Sequence, residues 1–236
     1  MVASLISGAR PLAAQETVLG RSRQVAAVWP RRPFVLRHAV VGSFSTLVVV
    51  AFVSSFADLP VANAWNRAFA DTSLVLLGLT MLAGPLARVT GAAHLLSARR
   101  ELGVWTGLLA CSHVGLVAYA WAGLDPALVF PHADAGLTLA NLIGVAALAY
   151  VAVLLVTSND RAQRRLGVGW KFLQRGATTF YVLALAHTVF FAFLFEPAAG
   201  PRPSAMIREP LVAAVAGILT LQATAFWLTV RRHAPD

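Results

Sequence analysis

Two histidines stand where an ionisable side chain is costly. His113 lies in "RRELGVWTGLLACSHVGLVAY", residues 99–119, and His187 in "GATTFYVLALAHTVF", residues 176–190. Both stretches are otherwise almost wholly apolar. An imidazole in such surroundings has three uses. It can ligate a metal through a neutral ring nitrogen, relay a proton, or hydrogen-bond to a neighbouring helix. The residues alone leave all three open.

The elements that carry these histidines follow from hydropathy. Hydrophobic residues make up 58% of the 236-residue chain and charged residues only 12%, against roughly 25% charged in soluble domains. Apolar runs at 38–57, 72–88, 102–123, 137–157, 176–195 and 210–230 approach or exceed the ~20 residues that cross a bilayer core. They lack the period-two alternation of a membrane barrel. The expected fold is all-α, an integral membrane bundle of six transmembrane helices. Pro60, Pro85, Pro126, Pro131, Pro197 and Pro210 fall in connections or near helix ends, where proline is tolerated. No internal repeat is visible, and no stretch is long enough for a soluble cofactor-binding domain.

Three parts are expected: an arm over 1–36, a membrane domain over 37–231 and a tail over 232–236. The arm holds Arg10, Arg21, Arg23, Arg31 and Arg32 without a signal-peptide core, so it reads as an uncleaved cytoplasmic segment. The formal charge of +9 does not imply nucleic acid, because the basic residues form short clusters between apolar runs. Those clusters orient the chain. Sixteen basic residues fall in the arm, at Arg37, in the second and fourth loops and in the C-terminus, against Arg67, Arg202 and Arg208 on the other side. The expected location is the inner (plasma) membrane, multi-pass, with both termini cytoplasmic and lipid as the surrounding partner.

The remaining candidates are weaker. His38, His94, His132 and His233 sit at span ends, in loops or in the tail. The single cysteine, Cys111, excludes an internal disulfide and takes no role. His113 and His187 differ because they share a depth. His113 is 12 residues past Glu101 and His187 is 11 past Gly176, about 18 Å and 16 Å from the cytoplasmic helix ends. Two imidazoles at one level could ligate one metal-centred disc from its two faces, as haem iron accepts. Thr106, Ala110, Gly115, Val117 and Ala120 around His113 leave room for a macrocycle. Phe180, Ala184, Phe190 and Phe191 around His187 offer rings to pack on it.

Longer motifs carry a resemblance. "GPLARVTGAAHLLSARRELGVWTGLLACSHVGLVAY" and "TSNDRAQRRLGVGWKFLQRGATTFYVLALAH" resemble the second, third and fifth helices and inner loop of the ferric-reductase-like transmembrane family. Within it they look most like the haem-binding membrane subunits of bacterial periplasmic methionine-sulfoxide reductase systems. The matching features are "RRELG" with His113 ten residues beyond its glycine, and Arg164 to Gly167, Trp170 and His187. The resemblance implies haem b with His113 and His187 as both cofactor and iron ligands. Gln174 stands where such subunits often carry a further histidine, and Arg99 and Arg100 stand where two-haem relatives carry an inner one. One haem per chain is therefore expected, with His94 a remote candidate for a second site.

On this resemblance the chain would be a membrane electron-transfer subunit of an oxidoreductase, with no catalytic residue of its own. Electrons would come from quinone or flavin, or from a flavoprotein donor at the cytoplasmic side. They would leave to an extracytoplasmic acceptor or partner reductase. The alternative is a transporter or a proton- or metal-relay bundle using the same two histidines. Orientation is checkable directly. Reporter fusions placed after Arg232 and in the loop between the third and fourth spans are expected to report opposite sides of the membrane. Reports from one side would make the span count wrong.

Overall fold

A computed structural model describes residues 34–121, 123, 125–131, 134–194 and 207–233. The described residues form helices and turns and contain no strand. The arm as far as residue 33, His132 and the last three residues lie outside them. Six helices are long and apolar enough to span a membrane. They are α1 (Phe34–Ser55), α2 (Val61–Thr90), α3 (Arg99–Leu116), α4 (Ala135–Thr157), α5 (Gly176–Val189) and α6 (Arg208–His233). In α3 and α5 the span is completed by π-helical turns, Val117–Trp121 and Phe190–Leu194.

The main departure from the hydropathy reading is α2. The apolar run opens at residue 72, yet the helix opens at Val61 behind Pro60. Asn63, Asn66, Arg67 and Asp71 depress local hydropathy without breaking the helix, since none of them removes a backbone donor. Thirty residues rise about 45 Å, more than the ~30 Å hydrocarbon core. The polar first turns thus reach towards the interface while the apolar remainder spans. Gly91, in the left-handed region at φ 75°, stops the helix, a conformation glycine adopts without steric cost.

Helices α2, α3, α4 and α5 form the centre. α2 packs on α3, α3 on α4 and α4 on α5, while α1 and α6 lie outside against α2. One core joins Val49, Ala68, Leu76 and Leu109 across α1, α2 and α3. The other joins Leu77, Met81, Ala147, Val151, Leu154, Phe180, Tyr181 and Ile218 across α2, α4, α5 and α6. Lipid offers little hydrophobic drive between helices, so close contact and polar links matter more. Ser73 donates to the Thr106 carbonyl at 3.1 Å and ties α2 to α3. A Cβ on Gly42 would overlap the Trp105 ring, so α1 meets α3 across a glycine.

The connections at one end are basic. Arg88, Arg99, Arg100, Lys171 and Arg175 gather there. The linker from α4 to α5 is two short helices, Asp160–Leu166 and Val168–Gln174, joined at Gly167. Trp170 Nε1 donates to the Thr157 carbonyl and holds the linker on α4. Arg100 donates to Asp160 Oδ1 at 2.6 Å, and this bond with its charge holds the exposed carboxylate below the usual range.

Arg37 lies inside α1 rather than in a preceding arm. Its Nε is 3.0 Å from Oε1 of Glu101, a residue only 1% exposed. No hydrogen bond among the described residues reaches either Glu101 oxygen, so Arg37 compensates the buried charge. Removing one partner of a buried pair costs about 3–5 kcal/mol. Arg37→Ala is expected to cost about 3 kcal/mol, near the lower bound because the guanidinium is partly exposed. Arg37→Ala with Glu101→Ala should recover most of the loss. Thermal unfolding in detergent measures both, and equal midpoints for Arg37→Ala and wild type would remove the pair from the stability account.

Candidate metal centre

His113 and His187 lie on α3 and α5, both of which pack on α4. Each Nδ1 faces a backbone carbonyl of another helix. His113 Nδ1 is 3.2 Å from Asn66 O on α2, and His187 Nδ1 is 2.8 Å from Ala140 O on α4. A carbonyl oxygen only accepts, so both rings donate from Nδ1. In the neutral ring this leaves the lone pair on Nε2, the tautomer a metal ligand needs. No described residue takes up either Nε2.

The two anchors repeat. In each, 47 residues separate histidine and acceptor. Asn66 lies six residues past Pro60, which caps α2, and Ala140 six past Asp134, which caps α4. Both imidazoles are thus held about 9 Å inside the helix ends opposite the basic connections. A π-helical turn opens four residues after His113, at Val117, and three after His187, at Phe190. Such turns frequently mark functional positions. The pairs α2–α3 and α4–α5 are therefore two copies of one arrangement, although the sequence displays no repeat.

Close packing fixes the ring on α5. Phe191 meets His187 with centroids 4.9 Å apart. A Cβ on Gly144 of α4 would lie 2.9 Å from His187 Cε1 and Nδ1, inside van der Waals contact. Only glycine lets the imidazole lie flush on α4. Phe190 instead packs beside Gly136, while Phe180 and Ala184 belong to the core. Of the rings expected around His187, Phe191 meets it directly. Asn66 and Ala140, which orient the two rings, carry no signal that sequence reading could have found.

This donor set fits one kind of metal group. No cluster of three or more His, Cys, Asp or Glu occurs among the described residues, whereas zinc sites normally take at least three protein ligands. Two oriented imidazoles suit a metal that brings its own equatorial ligands, as haem iron does. His38 lies one turn into α1. His94 is in a 3₁₀ segment, Ala93–Ala98, and its side chain lies outside the described residues, as does that of His233.

A second feature lies at the basic end. A cavity of about 420 Å³ is bordered by Arg99, Arg100, Lys171 and Arg175, with Leu77 and Phe180 among its apolar lining. Gln174 also lines it, with Nε2 3.4 Å from Thr157 Oγ1.

Comparison with known proteins assigns the chain to a family. The family described as "Ferric reductase like transmembrane component" matches residues 67–185. That stretch includes His113 and ends two residues before His187. The protein-methionine-sulfoxide reductase heme-binding subunit MsrQ of Bordetella parapertussis, of Bordetella bronchiseptica and of Bordetella pertussis is each 32% identical over 124 residues. The match covers 52% of this chain and 58% of each relative.

The packing predicts the result of a single methyl. Gly144→Ala is expected to push the His187 ring off the Ala140 carbonyl. Any metal group held by both histidines should then be lost from most of the protein while membrane insertion persists. Absorbance of the purified variant checks this, and a wild-type spectrum at wild-type occupancy would exclude the contact as a constraint.

Proposed function

The chain belongs to the ferric-reductase-like transmembrane family, and on that footing we propose that it carries one haem b between His113 and His187. In this reading it serves as the electron-transfer subunit of a membrane oxidoreductase. The observation that carries the reading is the matched pair of Nδ1 anchors, which aims two Nε2 lone pairs from helices at one depth. The haem-binding subunits among its relatives support the choice of cofactor.

Haem, when bound, supplies a one-electron carrier inside a layer that otherwise has none. The protein's own contribution is orientation and burial. Asn66 and Ala140 hold both ring tautomers, and the apolar bundle keeps bulk water from the pair. Such oriented second-partner hydrogen bonds also tune a metal's potential. Gln174 is a poor iron ligand and is tied to α4, which supports a single haem.

The basic connections favour a cytoplasmic position for that end in an inner membrane. Its cavity, cationic at the border and apolar within, suits a quinone or flavin donor or the edge of a donor flavoprotein. Both histidines lie nearer the opposite face, which favours an extracytoplasmic acceptor such as a partner reductase.

Haem analysis tests the proposal. Purified wild-type protein is expected to give close to one haem per chain by pyridine haemochrome, with a low-spin spectrum. His113→Ala and His187→Ala should each lose most of the haem yet insert normally, since each removes a polar group from a span. His94→Ala and His132→Ala should keep the spectrum. Normal haem content in His113→Ala would sink the assignment, and two haems per chain would return attention to His94.

A further inference from the structure

Arg208 opens α6 at the end opposite the basic connections. α6 covers the seam between α2 and α5, where Ile218 joins Leu77, Met81, Phe180 and Tyr181. Arg208 Nε donates to the carbonyl of Ala192, in the π-helical turn beyond His187. Its guanidinium lies over the Phe193 ring, 5.3 Å from the centroid. Nη2 is buried and has no hydrogen-bond partner among the described residues.

That is a costly state. A guanidinium does not shed its charge, and a buried charged donor without a partner is penalised more than a neutral one. With Nε committed and one face covered by Phe193, the Nη edge is what remains, and it matches a carboxylate. The described ion pairs supply none, joining Arg37 to Glu101 and Arg100 to Asp160. Arg67, the other described cation towards this end, interacts with Asp71. Glu209, next to Arg208, is exposed. Among the described residues no carboxylate pairs with it, and an anion carried by a bound ligand suits the open edge. Haem brings two propionate carboxylates, and Arg208 is anchored to the turn just beyond the proposed ligand His187.

We infer that Arg208 is the counter-ion of a propionate of the haem held by His113 and His187. The inference rests on the proposed haem function. It assigns the carbonyl of Ala192 and the ring of Phe193 the task of holding the guanidinium ready. It also gives the start of α6, which lies outside the family match, a part in binding the cofactor.

The test pairs a variant with a modified cofactor. Haem release to apomyoglobin and the haem midpoint potential are measured in full-length wild type and in Arg208→Gln. Each is loaded with haem b or with its dimethyl ester, whose propionates are blocked. In wild type the ester should leave about tenfold faster than haem b, the scale of one charge-assisted hydrogen bond. In Arg208→Gln haem b should leave as fast as the ester, and the gap between the two should close. Loss of the nearby positive charge should also shift the reduction equilibrium about tenfold towards the oxidised form, about 59 mV lower for one electron. Arg208→Lys, which keeps the charge, should retain most of the potential. Equal release of ester and haem b from wild type overturns the inference, and that arm decides if the variant fails to insert. So does an undiminished gap in Arg208→Gln. Wild type that binds no haem refutes the haem function itself, whereas haem-loaded protein indifferent to Arg208 refutes only this step.

Discussion

Two backbone carbonyls hold this molecule's chemistry in place. An imidazole in an apolar bundle needs a partner for its N–H, and the α2 and α4 backbones provide it at Asn66 and Ala140. Helical carbonyls are already occupied by their own ladder, but the second lone pair remains available. Each bond satisfies a buried donor, selects one tautomer and leaves the other nitrogen free of any described partner. Were either ring to turn, a buried N–H would lose its partner and the lone pair would lose its aim.

Much of the surrounding architecture serves that constraint. α2 extends to Val61, and its first turns are what set the Asn66 carbonyl against His113. Gly144 removes the one Cβ that would displace His187. Ser73 and Thr106 pin α2 to α3, fixing the register on which the His113 anchor depends. The π-helical turns follow both histidines at their ends of α3 and α5, so the two histidine-bearing helices change winding at corresponding positions. Pairing α2–α3 with α4–α5 in one geometry holds two rings at equal depth without any direct link between them.

The two ends of the bundle differ in charge and in purpose. At the basic end Arg99, Arg100, Lys171 and Arg175 border a cavity, and Arg37 neutralises the buried Glu101. At the other end cations are few and individually placed, with Arg67 facing Asp71 and Arg208 locked on the π-helical turn of α5. Many cations on one side orient a membrane protein, whereas Arg67 and Arg208 are each held against an aromatic ring.

The sequence by itself determined the class of molecule, the number of spans and the two histidines. Twenty-residue apolar runs have essentially one folded solution in lipid, and an imidazole inside one stands out by its type. Equal depth also followed, because helical rise is constant. Tertiary structure decided the rest. The α2 boundary was hidden because Asn66, Arg67 and Asp71 lower hydropathy while leaving helical hydrogen bonding intact. The repeat of the two anchors was invisible because a main-chain carbonyl is the same in every residue, so an acceptor at Asn66 or Ala140 leaves no mark on composition. Gly144 and Arg208 read as an ordinary small residue and an ordinary loop cation until packing set one against an imidazole ring and left the other with a buried, unanswered N–H.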